Sequence, residues 1–284
     1  MESKSLRTRL LWMFAIMVFI VASCTEKVDI QLDESYTRLV VDGCITTDTM
    51  AHTIRLTTTS SYYYNQPAPA VSGATLAITD GNTIYPLTET RPGIYQTADT
   101  VAGKQGHTYT LNISLQQEIG GYSDYSAVSY MNSLSTLDSV GLKFQPDWGD
   151  KGFYEVKVYV QEPPTVDFYR FMIYKNNELL TDTITEWFVT DDKFFNGSYT
   201  NGAPVAYLNQ RNPSERLEAG DIVTVEVDNI GKEYCTFIWN TQSEIRGSNP
   251  LFSGPPANVE GNISNGAIGF FAAYANTRAS AAAK

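Results

Sequence analysis

Histidine is almost missing from this 284-residue sequence, with only His52 and His107 present. Such a pair, far apart in the chain, gives no zinc-type motif and little material for a nucleophilic triad. Neither residue is expected to be catalytic. Three cysteines are too few for a disulfide framework to carry the fold. Positive charge is also short, with 20 Lys+Arg against 31 Asp+Glu and a formal net charge of −11. Binding to nucleic acid relies on clustered Lys and Arg, so no nucleic-acid partner is expected. There is no Gly-rich phosphate loop, no nucleophile elbow and no repeat of roughly 20–50 residues. No catalytic residue, cofactor or metal site is expected, and the reading is not that of an enzyme.

What is present is apolar and β-prone. Hydrophobic residues make up 43% and aromatics 12% of the chain, enough to build sizeable cores. The first such stretch lies at the N-terminus. Lys4, Arg7 and Arg9 precede an unbroken apolar run over residues 10–22. As a helix it rises only about 20 Å, short of the ~30 Å hydrocarbon core, so it reads as a signal peptide over residues 1–23. Val21-Ala22-Ser23-Cys24 resembles a bacterial lipobox. That resemblance implies cleavage after Ser23, a diacylglyceryl thioether on Cys24 and fatty acylation (palmitate) of the new amino terminus. Several acyl chains at one site imply stable membrane anchoring. Residues 24–35 form an acidic tether with Glu26, Asp29, Asp33 and Glu34. It resembles the surface-export signal of Bacteroidota lipoproteins, which implies an outward-facing outer-membrane location.

From Tyr36 onward the pattern is that of short strands. Residues 39–41, 54–59, 74–78, 84–87, 93–96 and 109–115 have strand propensity, and Asp80-Gly81 supplies a hairpin turn. Residues 36–131 are therefore expected to form an immunoglobulin-like β-sandwich. Residues 132–284 are expected to form a second β-rich sandwich domain, with strands at 154–160, 168–174, 222–227 and 266–274. Asn176-Asn177 is placed at a turn. One short helix is expected over 233–245, with Tyr234, Phe237, Ile238 and Ile245 on its apolar face. The fold class is all-β.

The remaining chemistry is sparse. Asp191-Asp192 and Asp147/Asp150 are paired acids. Their adjacency does not establish the separation a glycosidase needs, so they read as solvated loop acids. Calcium is left open there, although an Asp-x-Asp-x-Asp-Gly run is missing. Cys44 and Cys235 are expected to be buried thiols. Tyr62-Tyr63-Tyr64 is the most unusual candidate for ligand or partner contact, because successive strand residues face opposite ways. Trp148 and Phe194, the latter followed by Phe195, come next. Asp-Ser/Thr-aliphatic triplets place candidate O-glycosylation at Thr49, Thr100, Ser139 and Thr183, resembling the sequon of exported Bacteroidota proteins.

Several segments together resemble one family. They are Leu39-Val40-Val41-Asp42-Gly43, Val71-Ser72-Gly73-Ala74-Thr75-Leu76, Gly93-Ile94-Tyr95, Asp191-Asp192-Lys193-Phe194-Phe195-Asn196-Gly197 and Gly220-Asp221. A closing stretch adds Asn249-Pro250, Pro255-Pro256-Ala257-Asn258-Val259 and Gly266-Ala267-Ile268-Gly269-Phe270-Phe271. They resemble Bacteroidota lipoproteins of unassigned biochemical function encoded beside SusC/SusD-type TonB-dependent transporters. The resemblance implies a lipid-anchored accessory subunit of a nutrient importer, with a peptide or glycan as the ligand. It brings no catalytic residues. A fimbrial or adhesin subunit assembled by β-strand donation is the alternative, with Arg38 ahead of Leu39-Val40-Val41 as a cleavage candidate. A hydrolase resting on the loop acids is a third.

Overall fold

Alternation of apolar and polar residues, rather than any helical period, dominates the chain after residue 36, and the architecture follows from it. The computed structural model describes residues 37–60, 67–247 and 259–284. The signal peptide, Cys24, the acidic tether, Tyr62, Tyr63, Tyr64 and the segment 249–258 lie outside the described residues.

The first block contains β1 (Leu39–Thr46), β2 (Thr53–Thr58), β3 (Thr75–Thr79), β4 (Ile84–Arg91), β5 (Ile94–Gln96), β6 (Thr108–Ile119) and β7 (Tyr122–Tyr130). The second contains β8 (Ser139–Gln145), β9 (Phe153–Tyr159), β10 (Phe168–Lys175), β11 (Glu178–Leu179), β12 (Phe188–Asp191), β13 (Ala203–Asn209) and β14 (Ile222–Ile230). Helix α1 (Lys232–Gly247) and β15 (Ile268–Ala282) close the chain. One 12-stranded sheet runs β11-β10-β14-β15-β1-β2-β5-β4-β3-β6-β7, with β12 added on β10. A 3-stranded sheet, β13-β9-β8, forms the second layer at one end. The protein is all-β and sandwich-like, as expected.

Three cores follow from how this sheet is covered. At one end the sheet folds over itself. Leu39 and Val41 of β1 and Phe271 and Ala273 of β15 pack with Leu111 and Ile113 of β6 and Ala127 of β7. A bridge between Ala127 and Ile263, and the bond from Ala273 N to Ser129 Oγ at 2.9 Å, tie the two layers. At the other end Val156, Val158, Val205 and Leu208 of the small sheet pack on Phe171, Ile173, Val223 and Val225. On the opposite face, Cys235 and Ile238 of α1 cover Phe270, Ala272 and Tyr274. The alternation along β15 thus sends Phe271 and Ala273 into one core and Phe270, Ala272 and Tyr274 into another.

Strand β15 pairs in parallel with β1 and antiparallel with β14, so the large sheet crosses the boundary expected after residue 131. Residues from Tyr36 to Lys284 form one compact unit. Strand β1, which follows Arg38, is hydrogen-bonded on both edges, to β2 and β15.

Local chemistry explains the details. Asn176 and Asn177 both take positive φ, 50° and 69°, giving the two-residue turn between β10 and β11. The helix forms where expected, but its buried face is Cys235, Ile238 and Gln242, with Ile245 exposed. Gln242 turns inward because its Nε2 donates to the carbonyls of Ile184 and Trp187 at 2.7 and 2.8 Å. Strands β7, β8, β12 and β13 were not expected. β7 carries Ser and Asp among its apolar residues, β12 is short, and Pro204 sits at a register shift in β13. No helix among the described residues is long and apolar enough to cross a membrane.

Candidate functional site

The antiparallel register of β10 and β12 pairs Phe168 with Asp191, so the next residues along, Asp167 and Asp192, face each other at the strand ends. Asp192 N donates to the Asp167 carbonyl at 3.1 Å. Beyond β12 the chain turns sharply, with Phe195 N and Asn196 N both donating to the Asp192 carbonyl. This loop is fastened to the segment after β9. Glu162 N donates to Ser198 O at 3.0 Å, Gly197 N to Pro163 O at 3.1 Å, and Asn196 Nδ2 to Thr165 O at 2.8 Å. The fastening brings Glu162 beside the two aspartates.

Next to this loop lies a cavity of about 140 Å³ between the small sheet and the β10–β14 end of the large one. Its walls include Leu137, Val158, Phe171, Val205 and Val227, all buried. Phe188, Phe194 and Phe195 also line it and are exposed, so they form a rim. Its polar lining includes Glu162, Asp191 and Asp192. The volume is close to the roughly 150 Å³ of an apolar cavity that accepts benzene, so one aromatic or branched group fits. Mostly apolar walls with a few converging polar groups are the usual make-up of a ligand pocket.

Asp192 is not a solvated loop acid, contrary to expectation, while its neighbour Asp191 is half-buried. Asp192 is only 4% exposed, and Glu162 and Asp167 are buried as well. They sit in the gap left where two strand ends and a covering loop meet. Burial pushes the Glu162 carboxyl above its ordinary value; the Tyr169 hydroxyl, donating to it, pulls the other way, and the charges of Asp167 and Asp192 raise it further. Burial also raises Asp192. Asp150, by contrast, is exposed and pairs with Arg211 at 2.9 Å.

The other sequence-derived candidates scatter. Phe194 lines the pocket and is 86% exposed. Trp148 does not reach it; its ring packs against Tyr207, with centroids 5.7 Å apart. His52 is buried, its Nδ1 facing Thr46 N and its Nε2 facing Val101 O, and burial lowers its pKa, so it braces the β1–β2 loop. His107 lies 3.7 Å from Asp80. Cys44 and Cys235 are both free. Burial raises both thiols, Cys235 to about 12, so neither is a reactive thiolate. Thr49, Thr100, Ser139 and Thr183 are all exposed, in loops or at a strand start. Sequence reasoning missed Glu162, Asp167, Tyr169 and Phe188. The one signal for Glu162 and Asp167 was their place on either side of Pro163-Pro164, a loop between two strong strands.

The chain belongs to the family of the domain of unknown function DUF4249, whose model matches residues 25–280. No curated protein sequence matches it.

Proposed function

We propose that this member of the DUF4249 family is a lipid-anchored, non-catalytic accessory protein of a SusC/SusD-type TonB-dependent importer, held on the outer face of a Bacteroidota outer membrane. The observation that carries the ligand-capturing role is the apolar pocket rimmed by Phe188, Phe194 and Phe195. A recessed apolar cavity of one-ring size suits an apolar peptide side chain better than a sugar, whose edge hydroxyls would be buried without partners and whose C–H face stacks on open, flat aromatics. Of the two ligand classes, peptide is therefore the better fit.

The location rests on Val21-Ala22-Ser23-Cys24 and the apolar run before it. A lipid on Cys24 confines the protein to the membrane plane and raises its effective concentration near a transporter without strong intrinsic affinity. The test is affinity purification from detergent-solubilised outer membranes of cells labelled with radioactive palmitate. The expected result is a labelled protein that brings a TonB-dependent transporter with it, and a Cys24→Ala variant that carries no label. Recovery without any such transporter overturns the accessory role.

A further inference from the structure

We propose that Glu162, Asp167 and Asp192 form a divalent-cation site, of calcium type, that holds the loop after β12 against the segment after β9. The inference stands apart from the transporter reading, because it concerns three side chains that converge whatever the protein accompanies.

One oxygen from each of the three carboxylates lies within 4.8 Å of the other two. All three residues are buried, and among the described residues none of them pairs with lysine, arginine or histidine. The hydrogen bonds they accept come from neutral groups. Tyr169 donates to Glu162, Thr165 Oγ1 to Asp167 Oδ2 at 2.6 Å, and Asn229 Nδ2 to Asp167 Oδ1 at 2.8 Å. Those donors orient the carboxylates without neutralising them.

The second observation is independent of the clustering. Asp192 Oδ2 is buried and, among the described residues, has no hydrogen-bond partner. A buried acceptor left empty pays its full desolvation penalty, and more when charged, so native structures seldom keep one without a bound ion or water. Three buried carboxylates without a cation also repel one another strongly. A hard cation removes both penalties at once.

The donor set selects the cation. Among the described residues the cluster offers carboxylate oxygens and no thiolate or imidazole, which disfavours zinc. Three carboxylates in a dry protein cage suit calcium, which takes six to eight oxygens in irregular geometry. Magnesium keeps its waters and usually binds one or two carboxylates. The ligands come from two separate segments, the β9–β10 loop and the end of β12, so no linear motif marks the site. A bound cation would also set the position of Phe194 and Phe195, two and three residues past Asp192.

The test uses the full-length protein in detergent, dialysed against EDTA. Calcium titration by calorimetry should show one site, and saturation should raise the melting temperature by about 5 °C. Terbium should replace calcium and luminesce on tyrosine excitation, since Tyr169 touches Glu162. Asp192→Asn and Glu162→Gln, both nearly isosteric, should abolish these responses while keeping the wild-type circular dichroism. In EDTA, Asp192→Asn should melt no lower than wild type, because it removes a repelling charge. No calcium binding by the wild-type chain overturns the proposal. So does an undiminished calcium response in both variants, and so does stabilisation by spermidine but not by calcium, which would assign the carboxylates to an organic cation.

Discussion

Arg170 and Asp228 face each other across the β10–β14 pair inside the protein, with Nη2 to Oδ2 at 2.8 Å. The guanidinium lies over the Trp187 ring, 4.5 Å from its centroid, and Nη2 also donates to the Tyr274 hydroxyl at 2.8 Å. Tyr274 in turn donates to Cys44 Sγ. The pair therefore pins the helix-covered face of the sheet to the loop before β12. Removing only the cation would strand a buried carboxylate. Arg170→Met is expected to lose about 3–5 kcal/mol in urea unfolding, and adding Asp228→Leu to that variant should regain most of it. A double variant as unstable as the single one would show that shape, not charge, holds this layer.

Gly269 has φ 101°, and a Cβ there would lie 1.9 Å from the Val41 carbonyl oxygen. This is the point where β15 joins β1 in parallel. Both the backbone angle and the space demand glycine. Gly269→Ala is expected to destabilise by about 3 kcal/mol or more, because the strands must separate or the chain must twist. Thermal unfolding measures it. A shift within experimental error would mean that the parallel pairing is softer than its geometry implies.

These two positions mark where the sequence could and could not be read. Period-two alternation revealed most strands, Asn176-Asn177 its turn, and residues 233–245 the helix, since each is a local signal. The parallel closure of β15 on β1 joins distant parts of the chain, and nothing within either strand announces its partner. The inward turn of Gln242 was hidden for a related reason. Its two acceptors are carbonyls of a distant loop, so an apolar-face rule assigned Ile245 instead. At the site, Phe194 was legible as an aromatic beside acids. Glu162 and Asp167 were not, because their chemistry arises only when three strand ends meet. Asp192 was seen but assigned to solvent, since a loop acid ordinarily stays wet until another loop covers it.

Arg278 of β15 donates to both oxygens of Asp48, at 3.0 and 2.6 Å, and to Glu226 Oε2 at 2.6 Å. The Arg278 bond is the chief reason that Asp48 is held below its ordinary value of 3.8. A carboxyl whose folded pKa is depressed stabilises the fold above its unfolded pKa and loses that contribution as pH falls through the folded value. Asp48→Asn should therefore be less stable than wild type by at most about 1 kcal/mol at pH 6, the pair being part-exposed. The gap should shrink steadily below about pH 4 as the wild-type carboxyl takes up its proton. Urea midpoints across this range measure it. A gap that widens in acid would mean that the pairing does not control this carboxyl.

Phe194 separates ligand capture from stability, because its ring is 86% exposed while it lines the pocket. An exposed side chain contributes little to folding, so Phe194→Ala should change stability by no more than about 0.5 kcal/mol. Phe171, buried in the same pocket wall, should cost about 3–5 kcal/mol when truncated to alanine. If the rim closes over an apolar peptide side chain, losing the ring should weaken binding of an aromatic peptide about tenfold, or about 1.4 kcal/mol. Fluorescence titration with a labelled phenylalanine-rich peptide, run beside thermal unfolding, gives both readouts on one variant. Unchanged affinity in Phe194→Ala would remove the rim from the binding surface. A large drop in melting temperature would mean instead that the ring supports the loop after β12, and that the exposed aromatic belongs to the fold before it belongs to any ligand.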